Sequence, residues 1–321
     1  MNTCVRSISS AMLRTVRPLV LPLLTSVIAT AAMAQQDPQF TQYMFNMLAL
    51  NPAYAGSAER INVKALSRHQ WVGFEGAPTT QTITIHAPVW HESLALGGTL
   101  MRDSHGPITQ YNVMADVAYR IFMGDAKLAF GIKGGLNLLQ GRFGELSPEL
   151  PGDAVFQQNV STKLDPQFGF GVMYYSDRYF IGLSTPKILR TEFFDTDSLA
   201  FISEPGQRAH YFLSGGYVFD LGLYHKFKPT FLLKAVEGAP ISFDLSANFL
   251  FLEKFWLGAM YRHTDAVGAI AQYLLTNDLS VGYSYDYPLS PLRNFSGGSH
   301  EIMIGYEFGN ALKGIRSPRY F

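Results

Sequence analysis

Segments of about ten residues in which apolar and polar side chains alternate recur from residue 60 to residue 308, and they constrain the fold more than any other feature. In one, Ile302, Ile304, Tyr306 and Phe308 stand opposite Glu301, Met303, Gly305 and Glu307. In another, Leu279, Val281, Tyr283, Tyr285 and Tyr287 oppose Ser280, Gly282, Ser284 and Asp286. Ile241 to Phe249 and Val113 to Ile121 repeat the arrangement, the latter with Asn112, Asp116 and Arg120 on its polar side. Successive side chains of a strand point to opposite faces, so each segment has one oily and one wet face. A soluble sandwich alternates in the same way. Three features favour a membrane instead. The segments match the length needed to cross a bilayer at a tilt and exceed the ~5–6 residues of ordinary strands. The polar faces are small and neutral to charged. Aromatics gather near segment ends, at Trp71, Trp90, Phe122, Tyr174, Tyr175, Phe255, Trp256 and Tyr287, as interfacial girdles do.

Composition points the same way. Aromatics make up 14% of the chain and charged residues only 16%, against the ~25% charge of an ordinary soluble domain. Past residue 34 no stretch of ~18 apolar residues exists, so helical spanning is excluded. Backbone polar groups in hydrocarbon must be bonded internally, which leaves a closed barrel. The export route is written at the start. Arg6, Arg14 and Arg17 precede an apolar run from Pro18 to Ala31, and Ala32-Met33-Ala34 offers small residues at both cleavage-site positions. Residues 1–34 therefore read as a secretory signal peptide, with a mature chain beginning at Gln35. Losing three arginines leaves 22 basic against 25 acidic residues, a balance that argues against a nucleic-acid partner. The only cysteine, Cys4, lies inside the signal, so disulfides, thiolate catalysis and lipid attachment are excluded from the mature chain.

The candidate strands are 60–70, 79–88, 93–102, 109–122, 126–139, 167–176, 178–185, 208–220, 227–236, 240–251, 254–262, 265–275, 278–287 and 299–308. They predict an all-β transmembrane antiparallel barrel of fourteen strands in an outer membrane. With both barrel ends periplasmic, the long connections 140–166, 186–207 and 288–298 all fall outside, as such barrels require. The connection near 221–226 is longer than a periplasmic turn should be. Two pieces flank the barrel (60–308). Residues 35–59 carry Phe40, Tyr43, Met44, Phe45, Met47 and Leu48, whose spacing allows a short helix ending before Asn51-Pro52. This piece is expected inside the lumen or across its mouth as a plug. Residues 309–321 form a periplasmic C-terminal tail, where Pro318 ends any central strand.

QQDPQFTQYMFNMLALNPAYAGS (Gln35 to Ser57) closely resembles the mature start of the PorP/SprF family, outer-membrane components of the Bacteroidetes type IX secretion and gliding machinery. The likeness continues through RHQWVGFEGAPTTQTITIHAPV (Arg68 to Val89), MRDSHGP (Met101 to Pro107), LLKAVEGAP (Leu232 to Pro240) and FWLGAMYR (Phe255 to Arg262). It ends in VGYSYDYPLS (Val281 to Ser290), SHEIMIGYEF (Ser299 to Phe308) and SPRYF (Ser317 to Phe321), while 140–207 resembles the family only loosely. The resemblance implies a non-enzymatic outer-membrane barrel that works with protein partners. Some members are parts of the core secretion apparatus, linked to its periplasmic ring and lipoprotein subunits; others serve one large secreted surface adhesin.

No motif adds chemistry. His91-Glu92 lacks the second histidine of a zinc-peptidase helix. Gly131-Ile132-Lys133-Gly134-Gly135 sits inside an alternating strand, where glycine relieves crowding, and no helix follows it. No catalytic residue, cofactor or metal ligand is expected. The lumen charges Asp116, Arg120, Asp244, Arg262 and Glu307 are read as a structural network in a closed barrel or as the lining of a permeation path. Gln39, Tyr43, Asn51, Pro52 and Tyr54, with Arg319, Tyr320 and Phe321 of the tail, are candidates for partner binding, an arginine beside aromatics being a common interface anchor. The alternative function is passive transport through a plugged, fatty-acid-carrier-like barrel. Cell fractionation tests the shared premise: the mature chain should sediment with outer membranes and need detergent for extraction, and recovery as a folded protein from detergent-free periplasmic extract overturns the barrel.

Overall fold

The computed structural model describes residues 38–90, 92–142, 160–189, 208–237 and 239–308. The strands are β1 (Ile61–His69), β2 (Thr79–Trp90), β3 (Leu94–His105), β4 (Ile108–Met123), β5 (Ala126–Gly141), β6 (Val160–Ser176), β7 (Tyr179–Thr185), β8 (His210–Tyr217) and β9 (Phe219–Asp220). They continue with β10 (Lys226–Val236), β11 (Ser242–Phe251), β12 (Phe255–Arg262), β13 (Ala266–Leu274), β14 (Leu279–Pro288) and β15 (Ser299–Phe308). Sequence neighbours pair antiparallel, except that β8 and β9 both pair with β10, and β1 pairs with β15 from Ile61↔Phe308 to His69↔His300, which closes the sheet. The short β9 continues the line of β8, so the barrel has fourteen staves.

The break between β8 and β9 lies within the single strand expected over 208–220 and has a local cause. The register is the same on both sides, Gly216↔Thr230 and Phe219↔Phe227, which puts Tyr217 opposite Pro229. Proline offers no N–H, so the ladder lapses there. The unexplained connection after β9 also acquires a role. Leu221 N donates to His225 O at 2.9 Å, and Tyr224 O accepts from Glu253 N at 3.2 Å, tying this longer turn to the β11–β12 turn.

Burial alternates as the sequence alternates, with the signs of a soluble protein reversed. Ile83, Leu96, Leu100, Val113, Ile302 and Ile304 face outward, whereas Asn112, Asp116, Arg120, Asp244 and Glu301 face inward and are buried. No second layer covers the outward face among the described residues. At one end, Tyr217 and Phe219, Phe227 and Phe249, and Tyr306 and Phe308 form ring pairs with centroids 4.6, 4.6 and 4.4 Å apart. At the other, Phe243 stacks on His263 at 4.7 Å. Aromatic rings thus stand near both ends of the strands. Two girdle candidates turn inward: Trp256 and Tyr175 are buried in the lumen while their neighbours Phe255 and Tyr174 are not. Two adjacent strand residues cannot share a face, so only one of each pair meets lipid.

Replacing Leu100, in the middle of β3 and 52% exposed, by arginine places a charge in hydrocarbon. Unfolding in a bilayer should show a loss of about 2–4 kcal/mol.

Candidate functional site: the filled lumen

Residues 38–59 run through the inside of the barrel. They form three 3-10 turns, Tyr43–Phe45, Met47–Ala49 and Pro52–Tyr54, where a short helix was expected. The reason lies in where the backbone carbonyls go. Phe45 O accepts from Lys64 Nζ, Leu48 O from Lys133 Nζ at 3.1 Å, and Leu50 O from Ser184 Oγ at 2.9 Å. Wall side chains take acceptors that a continuous helix would use itself.

The segment also fills space. Tyr43, Met44, Met47, Leu48 and Tyr54 are buried against Leu66, Met173, Leu232, Trp256 and Met303 of the wall, so the hydrophobic core of the molecule lies inside the barrel. Where the segment touches the wall most closely the wall residues are small. A methyl group added at Gly131 would strike the Pro52–Ala53 backbone, and one at Gly171 would strike the Asn51 side chain. Lys228 is fully buried with Nζ 4.2 Å from the Phe45 ring centroid and 4.7 Å from that of Trp256, a cation–π contact that seats the segment on β10 and β12.

One polar cluster secures the start of the segment near the long-loop end. Glu301 accepts the backbone N–H groups of Thr41 at 2.9 Å and Gln42 at 2.8 Å. Arg68 lies opposite Glu301 across the closing β1–β15 pair and donates to it at 3.2 Å, to Asp286 at 2.8 Å and to Thr41 Oγ1 at 2.7 Å. Thr41 Oγ1 itself donates to Asp286 at 2.6 Å. Arg262 continues the cluster to Asp244 and Asp265, both at 3.3 Å, and to Asp286 at 3.6 Å, while Lys234 meets Asp244 at 2.8 Å. Desolvation of these charges is offset only because each has partners.

The five lumen charges thus occupy different places. Asp244 and Arg262 share the cluster above; Asp116 pairs with Lys133 at 3.3 Å, Arg120 donates to Gly56 O at 2.6 Å, and Glu307 accepts from Asn62 at 3.2 Å. Arg68, Lys234, Asp286 and Glu301 complete the cluster but were absent from the expected set. Asp286 and Glu301 were visible on polar strand faces; their convergence with Arg68 was not.

The candidate partner-binding residues of the N-terminal segment contact the chain's own wall. Tyr43 Oη lies 3.0 Å from Thr230 Oγ1, Asn51 Nδ2 donates to Val172 O at 3.2 Å, and Tyr54 packs edge-on against His86 at 5.3 Å. Tyr43, Asn51, Pro52 and Tyr54 are buried, and burial pushes both phenols above their ordinary pKa. These four candidates for partner binding are thus buried against the inner wall of the barrel. Gln39 is half-buried near the long-loop end. The expected signal peptide (1–34), the expected tail (309–321) and its residues Arg319, Tyr320 and Phe321 lie outside the described residues.

A closed sheet with its oily face outward, aromatic rings near both ends of its strands and a core inside its own lumen defines an outer-membrane β-barrel. The chain belongs to the PorP/SprF family of type IX secretion system membrane proteins, whose family model matches residues 32–306. No curated protein sequence matches it. Among solved structures it is similar to the CymD monoaromatic hydrocarbon channel, with 9% identity, 83% of this chain and 94% of that one covered, and a TM-score of 0.49. It is also similar to the outer membrane protein Omp33 of Acinetobacter baumannii, at 9% identity, 78% and 98% coverage, and a TM-score of 0.46. A Pseudomonas aeruginosa FadL homologue matches at 12% identity, 88% and 97% coverage, and a TM-score of 0.42.

Replacing Arg68 by methionine leaves Asp286 and Glu301 without their shared cation. Equilibrium unfolding should show a loss of about 3–5 kcal/mol. A double variant with Glu301→Gln should lose less than the sum of the two single changes.

Proposed function

We propose that this protein is a non-enzymatic, protein-binding component of the type IX secretion and gliding machinery, and not a route for small solutes. The observation that carries the reading is the lumen. Its volume is taken up by residues 38–59, its inward charges are engaged, and the segment's backbone is bonded to the wall from Thr41 to Gly56. Passive transport needs a path that this packing fills. A family role in secretion then falls to surfaces at the two barrel ends. At the periplasmic end, the tail Gly309 to Phe321 supplies Arg319, Tyr320 and Phe321 as anchors for ring and lipoprotein subunits. At the outer end, the long connections face an exported surface protein such as a large adhesin.

Three measurements test this. Deleting the gene and comparing secreted and surface proteins should show loss of one adhesin for a dedicated component, or of many proteins for a core component; an unchanged profile removes the secretion role. The purified full-length barrel in liposomes should show no solute conductance, and steady conductance restores the transporter reading. Removing residues 309–321 should leave a folded barrel that no longer co-purifies with periplasmic ring subunits. Full retention of those subunits rules the tail out as the anchor.

A further inference from the structure

Leucines stand exposed on three neighbouring turns at the end of the barrel where β15 stops. Leu221, Leu223 and Tyr224 are exposed between β9 and β10, Leu252 between β11 and β12, and Leu275 between β13 and β14. Leu223 is 84% exposed and Leu252 67%. The other turns at this end, at Glu92-Ser93, Gly124-Asp125 and Asp177-Arg178, are polar. The leucines therefore lie on one side of the rim. A clustered apolar patch of this kind marks an interaction surface, where a scattered leucine would not.

The three turns form one ridge. Glu253 N donates to Tyr224 O at 3.2 Å, and Leu274 N donates to Lys254 O at 2.9 Å. Leu252 and Glu253 have φ of 52° and 56°, the left-handed conformation for which a two-residue hairpin favours Asn-Gly. Leucine is held there against its backbone preference, and it gains no burial within the barrel in return.

The chain itself supplies an occupant. β15 ends at Phe308 beside the first of these turns, with Glu307 N donating to Asp278 O at 2.9 Å. Residues 309–321 continue from that point with Leu312 and Ile315 spaced among Lys313, Arg316 and Arg319, and with no acidic residue. Adjacent strands are ~4.8 Å apart, so the next turns of the ridge follow at intervals of about 10 Å. An extended chain covers ~3.3 Å per residue, which brings Leu312 within reach of Leu275 and Ile315 within reach of Leu252. The charges suit as well. The turns carrying Leu252 and Leu275 hold two acids, Glu253 and Asp278, against one base, Lys254, while Asp220 nearby is engaged by Lys226 and Arg178. Lipid headgroups fit the ridge less well, since that level of a membrane favours tryptophan and tyrosine over leucine and favours basic residues over acidic ones.

We propose that this ridge is the seat of the chain's own residues 309–316, with Leu312 on Leu275, Ile315 on Leu252 and Arg316 beside Glu253. Arg319, Tyr320 and Phe321 are then presented at the rim. The seat requires no partner, but it gives a fixed position to the anchor proposed above.

The test uses the full-length protein in phosphatidylcholine nanodiscs without partners. Trypsin cleavage after Lys313 and Arg316, followed by mass spectrometry, should be roughly tenfold faster in Leu223→Ser/Leu252→Asn than in wild type, the effect of losing about one buried leucine. Asparagine suits the left-handed turn, so the barrel of this variant should melt no lower, and heat-dependent gel mobility checks that. Oxidation should join Leu252→Cys to Ile315→Cys at least tenfold faster than Asp125→Cys to Ile315→Cys, the control on the polar side of the rim. Equal cleavage in wild type and variant, or equal cross-linking of the two pairs, overturns the proposal. So does protection that appears only when phosphatidylglycerol is added and is the same in both proteins, which assigns residues 309–316 to lipid headgroups. Loss of ring subunits from the variant with cleavage unchanged also overturns it and makes the ridge a direct partner surface. Faster cleavage with ring subunits fully retained upholds the seat and removes the tail as their anchor.

Discussion

In hydrocarbon no water is present to bond a free N–H or C=O, so a sheet that enters the bilayer must pair its first strand with its last. The β1–β15 ladder, running the whole of β1, meets that requirement, and the rest of the molecule follows from it. Closure turns one face of every strand to lipid and the other into a confined interior. Outward positions such as Leu100 and Ile304 are then stable because they are apolar, and inward positions are governed by whatever fills the lumen. Closure also brings Arg68 opposite Glu301 and within reach of Asp286, a set no two adjacent segments could assemble.

What fills the lumen is the chain's own N-terminal segment, and its packing combines two kinds of complementarity. Glycine and alanine on the wall, at Gly131, Gly171, Ala95 and Ala118, make room for a bulky strip of Tyr, Met and Phe. Lysine, arginine and carboxylate side chains of the wall bond the strip's backbone, which has no regular helix to satisfy itself. The arrangement gives a solid interior in which charges are paired in place.

Much of the barrel was legible in sequence because strand periodicity is a local property. Each candidate strand coincides with an observed one to within a few residues, except that β6 begins at Val160, seven residues before its expected start. Alternation even contained the correction to the girdle, since Trp256 follows Phe255 and must face the other way. The candidate site was less legible. Tyr43, Asn51, Pro52 and Tyr54 stood out as unusual residues near an end of the chain, and only the folded lumen reveals that they are spent on internal contacts. Arg68 went unnoticed because its partners are 218 and 233 residues away.

Sequence alone determined the closed outer-membrane barrel and its fourteen staves, because these depend on residue spacing and on the rule that lipid accepts no unbonded backbone. Tertiary structure alone decided that residues 38–59 run down the lumen as 3-10 turns and that Arg68, Asp286 and Glu301 converge on Thr41. Those outcomes depend on the volume enclosed when the sheet closes and on which distant side chains then meet across it, quantities that no local pattern of residues contains.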